Sequence, residues 1–159
     1  MTRILTSLFL GTFLTIGSAA IAAGTAADPV VGTWKLNVAK STFSAGPALK
    51  SQTRIYSQSA QGITLNMKTV GADGKEVNSH TTYQLDGTDY PVTGIAAYDS
   101  LSGKQVDSNT AEFTLKMAGK TIGTTRRTVS KDGKTLTSTL KMTDAKGEKS
   151  ENSTLFDKQ

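Results

Sequence analysis

His80 is the only histidine in the 159 residues, and the chain has no cysteine. One imidazole and no thiolate cannot assemble the three or four ligands of an ordinary zinc site. A Ser-His-Asp arrangement would have to be built on His80 alone, and no serine sits in a nucleophile-elbow context. Asn78 and Thr82 share the strand face of His80 and are polar, so the imidazole reads as a solvated side chain. Asp86 with Asp89, or Asp99 with Asp107, have the right residue type for a carboxylate pair at a glycosidic bond. All four flank turns, where aspartate is expected because its oxygen caps nearby backbone N–H groups. Gly133-Lys134-Thr135 matches the end of a phosphate loop, but it lacks the upstream glycine and lies in a hairpin rather than ahead of a helix. The expectation is a protein that is not an enzyme, with no catalytic residue, metal or cofactor.

Arginine is the other scarce type, confined to Arg3, Arg54, Arg126 and Arg127, while every other strong base is lysine. A guanidinium differs from an ammonium wherever a planar, bidentate or stacked contact is needed. Arg126 and Arg127 are adjacent, so on a strand they face opposite sides. Alternation with Ile122 favours Arg126 as the inward one, and the Thr-rich flanks leave Arg127 as the alternative.

The elements that must position these groups are strands. Ile63–Lys68, Ala111–Met117 and Leu136–Met142 alternate apolar and polar residues, which sends one set of side chains to a core and the other to water. No stretch after the leader keeps a helical spacing over three turns. Gln61-Gly62, Asp73-Gly74, Asp86-Gly87, Asp107-Ser108-Asn109, Ala118-Gly119, Asp132-Gly133 and Lys146-Gly147 punctuate the chain with hairpin turns. Strands are expected near 31–38, 52–60, 63–70, 75–85, 98–106, 110–117, 121–130, 134–143 and 149–157. A short one is expected at Asp89–Thr93, held to an edge by Pro91, and a bulge at Gly103. This is an all-β chain of eight to ten antiparallel strands. An up-and-down meander closed into a barrel removes the exposed edges of a flat sheet; a two-sheet sandwich is the competing architecture. Residues 39–50 read as a loop folded over one barrel mouth, with Phe43 and Leu49 as its apolar contacts.

Residues 1–22 have the pattern of a cleaved signal peptide: Arg3, the apolar run Ile4–Ile16, then Ala20-Ile21-Ala22, with cleavage after Ala22 or Ala23. The run is short for a membrane span of about 20 residues, and without cysteine there is no site for a lipid anchor. Residues 23–159 then form one domain in the periplasm or outside the cell. Losing Arg3 lowers the formal net charge of +5 by one. The remaining lysines are scattered without the clustering of a nucleic-acid footprint, and no later segment spans a membrane.

Gly32-Thr33-Trp34 on the first strand, followed by a meander of this length, resembles the calycins, the lipocalins and fatty-acid-binding proteins. The longer stretch Gly32–Pro47, with Tyr90–Gly94 and Val129–Thr137, is similar to small secreted bacterial lipocalin-like proteins of unassigned function. The resemblance implies that Trp34, the sole tryptophan, plugs the closed end of the barrel, its N–H on an acceptor and a cation across its ring. Arg126, if inward, covers Trp34 or holds a ligand carboxylate; otherwise it is a surface charge. The chain departs from the fatty-acid-binding pattern at Thr154-Leu155-Phe156, where the family carries Arg-x-Tyr, and it has no room for a helical lid.

Two functions follow. In the first, a cavity takes an apolar or amphipathic small molecule. Its ligand-facing candidates are Ile55, Leu65, Met67, Tyr83, Phe113, Leu115, Met117, Arg126 and Met142. Leu36, Val38, Ile63, Leu85, Leu140 and Phe156 also point inward. In the second, the barrel is filled by its own side chains and its loops engage a protein partner, with Tyr90 or Tyr98 as an anchor.

Overall fold

The computed structural model describes residues 27–44, 47–143 and 146–159; the leader expected at residues 1–22 lies outside them. Ten strands follow one another: β1 Gly32–Phe43, β2 Ser51–Ser59, β3 Gly62–Val70, β4 Glu76–Tyr83, β5 Asp86–Pro91, β6 Ser100–Asp107, β7 Thr110–Met117, β8 Lys120–Val129, β9 Thr135–Thr143 and β10 Lys149–Lys158. All pairings are antiparallel, and the sheet order is β4-β3-β2-β1-β10-β9-β8-β7-β6-β5. This is the expected up-and-down meander. Its first and last strands pair with each other, and it nearly closes into a barrel. The two free edges, β4 and β5, approach at a single bridge between His80 and Thr93, supported by a hydrogen bond from Thr81 Oγ1 to the Pro91 carbonyl.

The hairpins are as tight as their residues permit. Met117 pairs with Lys120, leaving Ala118-Gly119 as a two-residue turn in which both residues have positive φ, 49° and 77°. That is the geometry whose twist matches antiparallel strands. Gly103 is not the bulged residue expected of it. The extra residue lies on β5, where Gly87 and Thr88 stand opposite Gly103 between the Asp86–Lys104 and Asp89–Ser102 pairs. Gly103 is glycine because the Phe113 ring lies against it, and a Cβ there would come within 2.7 Å of a ring carbon.

Two further irregularities change which side chains face the core. β1 runs on to Phe43 instead of ending at 38, through a wide bulge between Asn37 and Thr42. There Asn37 Oδ1 accepts from the Lys40 N–H, and Ser41 Oγ donates to the Asn37 carbonyl. Val38 was expected inside; the bulge takes it out of phase and leaves it exposed. In β8 one extra residue sits between the Leu115–Gly123 and Lys116–Thr121 pairs, which reverses the inward set of the rest of that strand.

The core is one cluster that includes Val30, Trp34, Tyr56, Tyr83, Phe113, Leu136 and Phe156. It is concentrated at the end where β1 begins. The turn before β1 closes this end: Val31 N–H donates to the Asp28 carbonyl, and Val30 is fully buried.

Candidate functional site

Strand parity decides what the barrel interior contains. Ser59 pairs with Gly62 across a two-residue turn, so Tyr56 faces Leu65 and Arg54 faces Met67. With Ile63, Leu65 and Met67 turned inward, Gln52, Arg54 and Tyr56 must be inward too. Ile55, expected to face a ligand, is therefore on the outer surface and about half exposed, 48%. The arginine pair is corrected in the same way. Counted straight from the Ala118-Gly119 turn, Arg126 would face in; the extra residue of β8 shifts the phase, so Arg127 is inward and Arg126 lies outside, paired with Glu112.

The interior has two levels. At the closed end, Arg127 is 4% exposed. Its guanidinium donates to the Tyr83 hydroxyl at 2.7 Å and pairs with Asp28 at 3.1 Å. It also lies 5.5 Å from the Phe113 ring centroid and 5.7 Å from that of Tyr56. Its Nε is buried without a hydrogen-bond partner, with ring faces in place of an acceptor. Burial drives the Tyr83 phenol well above its ordinary pKa, and the neighbouring Arg127 charge only partly offsets that. Trp34 is fully buried and donates its indole N–H to the Val30 carbonyl at 2.7 Å. The cation over its ring is Lys158, 5.1 Å from the centroid, rather than Arg126. This end is filled.

Towards the other end the packing opens into a cavity of about 250 Å³, lined by residues from β1, β2, β3, β7, β8, β9 and β10 and from two loops. Phe43, Leu49, Met67, Leu115 and Leu140 supply its apolar wall; Phe43 and Leu49 are the two contacts expected of the loop over the mouth. Thr125, Ser138 and Thr154 form a hydroxyl stripe held in place by their own bonds. Thr125 and Ser138 oxygens are 3.3 Å apart, and Thr154 donates to the Ser138 carbonyl. Arg54 and Tyr98, with Pro47, Gln52 and Asn152, complete the lining. Arg54 Nε donates to Gln52 Oε1 at 2.9 Å, and Gln52 in turn donates to Thr69. The Arg54 guanidinium carbon lies 4.2 Å from the Phe156 ring centroid. Burial raises the pKa of the Tyr98 phenol, and the charge of Arg54 pulls it back.

Of the residues expected to face a ligand, the cavity brings together Met67 and Leu115. Tyr83 and Phe113 belong to the closed end, where their rings meet edge to face at 5.2 Å. Leu65 and Met142 are partly buried against the core; they, with half-buried Met117, are not among the lining residues. Sequence reasoning passed over Gln52, Arg54, Tyr98, Thr125, Ser138, Asn152 and Thr154, all polar or amphipathic, because it sought the inner face by hydrophobicity. The signal for Arg54 was the turn at 60–61. His80 is exposed, its Nδ1 2.8 Å from Asn66 Oδ1 on the outer face. Asp86, Asp107 and Asp132 each accept a backbone N–H two residues on, and Asp99 accepts from Ala118. Those bonds hold the carboxyls of Asp86, Asp107 and Asp99 below the usual range, and the Ser130 hydroxyl, followed by the Lys134 N–H, does the same for Asp132.

No protein-family model matches the chain, and no curated protein or solved structure matches it. The likeness to calycins therefore stays with the architecture, an antiparallel ten-stranded barrel that is nearly closed.

Proposed function

We propose that this protein captures and releases an apolar or amphipathic small molecule, without turnover, in the cavity at the barrel end opposite Trp34. The observation that carries the reading is the contrast between the two ends. Trp34, Tyr83, Phe113 and Arg127 fill one, whereas a cavity of about 250 Å³ occupies the other. An apolar wall with a few fixed polar groups suits selective binding, and Met67 gives the wall some adaptability. The signal-peptide pattern expected at residues 1–22 supports capture in the periplasm or beyond it. The alternative, a loop-mediated protein interaction, has no observation of its own: Tyr98 lines the cavity, and Tyr90 is partly buried against the core with its hydroxyl on Asp86.

The test is solvent extraction and mass spectrometry of protein purified natively after export, beside a Leu140→Trp variant. Leu140 is a partly buried lining residue, and an indole there fills the space. The reading expects a stoichiometric small molecule in the wild type and its loss from the folded variant. An empty wild type, or equal occupancy in both, counts against it.

A further inference from the structure

Resting on that reading, we infer that the cavity selects a compact organic anion, whose charged group sits on Arg54 while its apolar body lies along Met67, Leu115 and Leu140. The lining explains the choice. Arg54 is its one charged residue and none of the lining residues is acidic. Among the described residues the ion pairs engage Arg126 and Arg127 but leave Arg54 without a carboxylate. The Arg54 side chain donates instead to a neutral amide, Gln52, which is itself anchored on Thr69. The chain thus treats two interior guanidinium groups differently: Arg127 is neutralised by Asp28, while Arg54 is held in position by an amide and a ring and keeps its full charge towards the cavity. A half-buried cation that has lost part of its hydration without a counter-ion favours an incoming anion, and a guanidinium matches a carboxylate bidentately. Tyr98, which feels the Arg54 charge, supplies a hydroxyl in the same lining. Size narrows the class further. At about 250 Å³ the space lies below the roughly 300–1,000 Å³ of ordinary ligand pockets, which suits a medium-chain or single-ring acid.

Calorimetric titration of the folded protein with octanoate and with 1-octanol, matched in chain and differing in charge, tests the assignment. The wild type binds octanoate at least about tenfold more tightly than octanol, roughly 1.4 kcal/mol. Arg54→Gln brings the two to within about twofold, Arg54→Lys keeps part of the gap, and surface Arg126→Gln leaves it intact. Circular dichroism verifies that each variant is folded, and the wild-type comparison stands if Arg54→Gln does not fold. Equal affinity for both probes in the wild type, or an undiminished gap in folded Arg54→Gln, overturns the anion assignment and leaves the cavity reading in place. Binding of neither probe removes both.

Discussion

At position 127 a guanidinium leaves water and meets a carboxylate, a phenol and two ring faces. Arginine does not neutralise by losing its proton, so its burial depends on Asp28, which stands in the turn before β1. Asp28→Asn keeps the shape and the bond to the Val30 N–H but leaves a buried charge uncompensated. Breaking a buried pair from one side costs about 3–5 kcal/mol. Denaturant unfolding of Asp28→Asn should show a loss in that range; a loss under about 1 kcal/mol would mean that the rings and Tyr83 suffice. Tyr83 also sets an alkaline limit. Burial raises its folded pKa, so its contribution is complete below the ordinary phenol value of about 10 and is lost as pH rises through the folded value. Unfolding midpoints should hold steady up to about pH 9 and fall above pH 10, and Tyr83→Phe should flatten that fall.

The elements record what alternation and turn signals dictate and where they stop. The meander, its hairpins and the inward faces of β3, β7 and β9 are legible from period-two patterning and the turn residues alone. Parity fails where a strand gains residues that composition does not announce: four residues of β1 opposite one of β10 expose Val38, and one extra residue in β8 exchanges Arg126 for Arg127. Ile55 is a different failure. Its strand turns Gln52 and Arg54 inward, so hydrophobicity points to the outer face, while the two-residue turn to β3 settles the phase correctly. The candidate site was the least legible part because about half of the residues lining it are polar or amphipathic, and hydrophobic patterning does not mark those. Turn chemistry leaves one position for improvement. Ala118 holds a left-handed φ of 49°, which costs an ordinary L-residue roughly 1–2 kcal/mol. Ala118→Asn, a residue suited to the first position of this turn, should raise unfolding stability by about 1 kcal/mol. Its bond from the backbone N–H to Asp99 is unaffected, and an unchanged or lower midpoint would show that the Ala118 conformation is not under strain.

For the whole molecule, the sheet is sealed on one side and left almost unzipped on the other. β1 pairs with β10 and β2, so the first and last strands lie inside the ladder, while the sheet edges β4 and β5 meet at the His80–Thr93 bridge. At this seam the direction of each amide can be assigned. The His80 N–H and carbonyl both bond to Thr93, so in the alternating ladder the amides of Asn78 and Thr82 point the same way, while Ser79 and Thr81 face Met67 and Leu65 on β3. Local opening needs least energy where backbone groups lack strand partners. Amide exchange followed by NMR should therefore show Ser79 and Thr81 protected at least about a hundredfold more than Asn78 and Thr82, with His80 in between. Equal protection along β4 would mean that β5 pairs with it fully in solution and the barrel is closed. A collapse of protection along all of β4 would mean that the seam reaches into β3, next to Met67 in the cavity wall.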